Sequence, residues 1–112
     1  MRPAFKTLIG ATVATLFMAT SAHALDEEAA KALAKKNDCT KCHAVDKTKK
    51  GPAFKKVAEK YRGRADAEEK ILLNITTGPK VKLEDGSEEN HKIIDTKDPA
   101  EIKNLIEWIL SR

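Results

Sequence analysis

The chain has 112 residues, 34% of them charged and only 4% aromatic, with a formal net charge of +4 and two cysteines. That length holds one domain, and a core so poor in large apolar residues calls for something bound to complete it. With Arg2 and Lys6 set aside as leader charges the net charge falls to +2, and the few aromatics are not interleaved with lysines, which speaks against a nucleic-acid surface.

Arg2 and Lys6 make a positive start, Thr7 to Thr20 is mostly apolar, and Ala22-His23-Ala24 is a small-x-small pattern. This reads as a secretory signal peptide cleaved after Ala24. A membrane anchor is the competing reading, but the apolar run falls short of the ~20 residues a span needs and carries four threonines. The expected product is a single periplasmic domain, residues 25–112, with no membrane association.

Asp26 to Lys36 reads as a helix, with acids in its first turn and lysines in its last. It leads into the cysteine motif and a lysine-rich loop that ends at Gly51-Pro52. Ala53 to Tyr61 is a second helix, with Phe54, Val57 and Tyr61 at helical spacing, closed by Gly63. A third starts at Asp66, with Glu69 in capping-box position and Ile71, Leu72 and Ile75 facing inward, and stops at Thr77-Gly78-Pro79. Residues 80–97 have no persistent period and read as a loop turning at Asp85-Gly86. Asp98-Pro99-Ala100-Glu101 is a strong helix start, followed by the stripe Ile102, Leu105, Ile106 and Ile109. No segment reads as a strand, so the expected fold class is all-α, with about four short helices and one long loop.

The chemistry gathers at Cys39-Thr40-Lys41-Cys42-His43. A thioredoxin-type redox pair needs a strand before it, and none is expected. Structural zinc needs four ligands, and a site drawing on adjacent cysteine and histidine would be sterically poor. Covalent c-type haem fits directly: two thiols on one turn reach the two vinyl groups along one porphyrin edge, and the next residue's imidazole points at the iron. Such attachment follows export, in keeping with the leader.

With this motif, the segment GPAFKKVAEKYRG (51–63) and the terminal IEWILS (106–111), the chain resembles the small class I cytochromes c of the bacterial periplasm over essentially all of residues 25–112. The resemblance implies the cytochrome c fold, one haem c held through Cys39 and Cys42, and His43 as proximal iron ligand with its ring N–H donated to the carbonyl of Pro52. It implies first and last helices crossing beside the haem. The family's usual distal ligand is a methionine ahead of the last helix. Here the sequence departs, because Met1 and Met18 both leave with the leader.

His91 is the only other histidine after processing and lies seventeen residues before Trp108, close to where the family places its methionine. It is the expected distal ligand, with His43 and His91 as the metal-binding pair. A solvated loop histidine is the plain alternative. Asn90, or a deprotonated Lys80, Lys82 or Lys92, are the other candidates, although a lysine pKa of about 10.4 opposes ligation without burial. Val81, Leu83, Ile93 and Ile94 either pack on the porphyrin or belong to the core.

Two histidines at the iron describe a low-potential carrier of single electrons, with no catalytic group on the polypeptide. A vacant or Asn90-held site would instead bind a small gas molecule. Lys41, Lys47, Lys49 and Lys50 are either a docking face for acidic redox partners or simply solvated surface. A monomer is expected.

Overall fold

The computed structural model describes residues 24–112, together with Pro3, Gly10 and residues 13–15. The expected leader therefore lies almost entirely outside the described residues. Among the described residues, five helices and one small hairpin follow in order: α1 (Glu27–Lys36), α2 (Cys39–Cys42), α3 (Phe54–Tyr61), α4 (Ala67–Thr77), β1 (Lys80–Lys82), β2 (Glu88–Asn90) and α5 (Pro99–Leu110).

The two outermost helices form the frame. α1 packs on α5, and α3 and α4 pack on α5 from other sides. Ala30 and Ala34, four residues apart on α1, are fully buried and add almost no bulk. Their smallness lets α1 lie close to α5, whose Ile102, Leu105, Ile106, Trp108 and Ile109 are all buried as the periodicity predicts. Asn104 joins the two ends: its Oδ1 accepts from the Asp26 N–H at 2.9 Å and its Nδ2 donates to the Asp26 carbonyl at 2.8 Å.

Helix starts follow sequence cues to different degrees. Asp26 caps α1 by accepting from the Ala29 N–H, and Asp98 caps α5 by accepting from the Ala100 N–H with Pro99 in the first turn. Asp66 sits at the N-cap of α4 but makes no side-chain cap bond. Its carboxylate is taken by Arg64, at 3.0 and 2.8 Å from Nε and Nη2. A bidentate guanidinium is a stronger partner than a backbone N–H, so the expected capping box does not form.

Two further expectations need correction. Leu72 does not face inward; it is 40% exposed, while Ile71 and Ile75 are buried. And residues 80–97 are not loop throughout. β1 and β2 pair antiparallel, with Lys82 opposite Glu88, Val81 opposite Glu89 and Lys80 opposite Asn90. Three-residue strands are too short to print an alternation, and β2 is exposed along its whole length, so no apolar period marks it. The one pair of opposite charge, Lys82 with Glu88, and the turn at Gly86 mark it instead.

Candidate haem site

α2 is a single turn, entered through Asp38 in the left-handed region (φ 58°, ψ 21°) and left through His43 in extended conformation (φ −120°, ψ 145°). Aspartate is among the few side chains that adopt that entry conformation readily. The turn sets the thiols of Cys39 and Cys42 three residues apart, hence on one side. Both are free and half-buried. Burial pushes the Cys39 thiol up from its ordinary value, the reverse of what an activated redox cysteine needs.

His43 is held by the loop that returns beneath it. The Gly51 N–H donates to Cys42 O at 2.8 Å and the Phe54 N–H to Ala44 O at 2.8 Å, bringing the Pro52 carbonyl to 2.6 Å from His43 Nδ1. A carbonyl only accepts, so Nδ1 carries the hydrogen and Nε2 keeps its lone pair. The ring stacks on Phe54 (centroids 5.1 Å, 22°), and Phe54 meets Trp108 edge-on at 5.4 Å. The motif is thus anchored to α5 through an aromatic column. Gly51 completes the seat, because a Cβ there would stand 2.9 Å from His43 Cε1. Burial outweighs the Pro52 hydrogen bond and depresses the His43 pKa, leaving a neutral imidazole fit to bind a metal.

His91 arrives from the other side. The hairpin ends one residue before it, and its own N–H donates to Pro79 O at 2.8 Å. Its Nδ1 donates to Lys92 O at 2.9 Å, so this imidazole too keeps Nε2 free. Gly78 supports the segment from beneath: it adopts φ +61°, and a Cβ there would meet His91 O at 2.8 Å. The two imidazoles lie with centroids 6.2 Å apart and planes inclined at 37°. Two imidazoles bound to one metal through nitrogen at about 2 Å each place their centroids roughly 6 Å apart. The residues therefore fit a metal held between them, with the thiols of α2 alongside.

The other distal candidates are placed differently. Asn90 is exposed in β2, and Lys80 and Lys82 are exposed in β1. Lys92 pairs with Asp38 at 2.8 Å; the carboxylate raises its pKa, and an ammonium offers no lone pair to iron. Of the apolar flank, Ile94 is core, Val81 and Leu83 are half-buried, and Ile93 is 55% exposed. Sequence reasoning missed the part played by Gly51, Gly78 and Asn37, whose only signal was two glycines beside prolines and a polar residue at a helix end.

The chain is similar to known proteins along most of its described length. The cytochrome c family model matches residues 27–112. The solved structure of the class 1 cytochrome MtoD from Sideroxydans lithotrophicus ES-1 is similar at 60% identity and a TM-score of 0.75, over 79% of this chain and 97% of that one. Cytochrome c-551 of Azotobacter vinelandii is 36% identical over 87 residues, 75% of this chain and 98% of the relative. Cytochrome c-551 of Allochromatium vinosum is 46% identical over 46 residues, and that match spans only about half (49%) of the relative's length.

Proposed function

The chain belongs to the cytochrome c family, a family of electron carriers, and from that premise we propose that it is a low-potential monohaem carrier with histidine on both faces of the iron. One haem c is attached through Cys39 and Cys42. When bound, it supplies the iron that takes up and releases a single electron. His43 is the proximal ligand and His91 the distal one.

The observation that carries this reading is the pair of rings 6.2 Å apart, each with Nδ1 donated to a carbonyl and Nε2 free. Each carbonyl fixes tautomer and orientation and makes its imidazole a better donor to metal. An imidazole in place of a thioether stabilises ferric iron, so the potential lies below that of a His/Met cytochrome c. Six ligands in both oxidation states also keep reorganisation small. The polypeptide performs no catalysis; it tunes the iron and presents it. The protein works as a monomer in the periplasm after removal of residues 1–24, and acidic redox partners dock at Lys41, Lys47, Lys49 and Lys50, all exposed.

The test is the visible spectrum of the holoprotein, ferric and ferrous, with and without carbon monoxide, beside His91→Ala. The natural protein is expected to be low-spin in both states and to take up carbon monoxide only slowly, at a rate independent of its concentration; the variant turns high-spin and binds it promptly. A natural protein that binds carbon monoxide as readily as the variant would instead be the gas-binding protein, and His91 would not be a ligand.

A further inference from the structure

We infer that Asn37 is the positioning residue for the distal imidazole, an inference that rests on the reading of His91 as a ligand. The two histidines are secured in different ways. His43 is fixed from outside its own stretch of chain, by the Pro52 carbonyl at 2.6 Å and the Phe54 ring. The partner of His91 Nδ1 is the carbonyl of the next residue, which moves wherever His91 moves. The place of the distal ring is therefore set by what moors residues 91–95.

Upstream the mooring is the hairpin and Gly78. Downstream, the Ile94 N–H donates to Ile75 O at 2.8 Å, and the Asp95 N–H donates to Asn37 Oδ1 at 2.8 Å. Asn37 is 3% exposed, the one buried polar side chain among the described residues. Its Nδ2 donates to Leu33 O at 3.0 Å. One amide thus closes the C-terminus of α1 with its nitrogen and receives the distal segment with its oxygen, two residues before Cys39. It ties the distal ligand's strand to the same helix end that delivers the haem-binding turn.

Two ion pairs run beside it, Lys92 to Asp38 at 2.8 Å and Lys36 to Asp95 at 3.6 Å. Their side chains are 43–70% exposed, so water and salt weaken them. A buried amide is different: removing it takes the acceptor from the Asp95 N–H, while the Leu33 carbonyl keeps only the backbone N–H of residue 37. Asn37 is the dominant link.

The test is stopped-flow mixing of ferrous holoprotein with saturating carbon monoxide, which enters only after His91 has left. The observed rate then reports departure of the distal ligand. Asn37→Ala is expected to raise it about fivefold to tenfold, the effect of losing one part-buried hydrogen bond. Asn104→Ala is the control, since it removes a more exposed two-bond amide bridge that joins α1 to α5 without touching the distal segment. Its rate is expected to stay within about twofold of the natural protein's.

Equal rates for Asn37→Ala and the natural protein would overturn the inference. So would equal acceleration by Asn104→Ala, which would mean general loosening. If Asn37→Ala yields no holoprotein, Asn37→Ser, whose hydroxyl is too short to reach Asp95, cuts the same link, and an unaltered rate there is equally fatal. Prompt carbon monoxide binding by the natural protein, proportional to its concentration, would overturn the ligand reading beneath the inference, and the inference with it.

Discussion

Replacing Gly51 by alanine tests the seat of His43. Its backbone lies outside the positive-φ region, so alanine can adopt it, and in open space the change would stabilise by about 0.4–1 kcal/mol through the unfolded state. Space is what is missing. The new Cβ would stand 2.9 Å from His43 Cε1, 3.2 Å from Nδ1 and 3.4 Å from Cys42 O, where carbon atoms prefer about 3.5–4.0 Å. The ring has little room to yield, being hydrogen-bonded to Pro52 O and stacked on Phe54. Overpacking of this kind costs about 1–3 kcal/mol, which outweighs the entropic gain and leaves a net loss of about 1–2 kcal/mol. For a domain of this size each kcal/mol moves the melting temperature by about 4–8 °C, so Gly51→Ala is expected to melt several degrees below the natural protein. The assay is thermal unfolding of both ferric holoproteins followed by circular dichroism. A variant as stable as the natural protein, or more so, would refute the argument that the ring and loop cannot yield.

Asp66 offers a pH test. The hydrogen bond and charge of Arg64 hold its carboxyl below the usual aspartate range, so its contribution is complete above about pH 4 and is lost as pH falls through the lowered value. The melting-temperature gap between the natural protein and Asp66→Asn should be constant near neutrality and narrow as pH falls below the usual aspartate range; a gap that persists unchanged in acid would sink this. The lysine face predicts that electron exchange with an acidic partner slows severalfold between about 10 and 200 mM salt. It also predicts that Lys47→Glu with Lys50→Glu flattens that dependence. A rate indifferent to salt in the natural protein would remove the docking role.

Much of the site was readable along the chain because its chemistry is local. Cys39, Cys42 and His43 share one turn, so their spacing alone carries the haem motif, and Pro52 follows close enough for the loop to return. The long helices were equally legible: α5 has a cap, a first-turn proline and an unbroken apolar stripe, all set by nearest neighbours. Where the reading slipped, the cause was a competing partner or a missing period. Asp66 chose Arg64 over its own helix, and the strands of the hairpin are too short and too exposed to show a period.

The sequence by itself determined that a haem would be bound and on which turn, because bonds between near neighbours are written in order. It could only nominate His91. The tertiary structure decided that this ring, 48 residues beyond His43, stands across from it with the matching nitrogen free. There Gly78 meets the His91 carbonyl, and the Asp95 N–H meets the Asn37 side chain. No local pattern encodes such a meeting, since it exists only once α1, α4 and the distal segment have packed together.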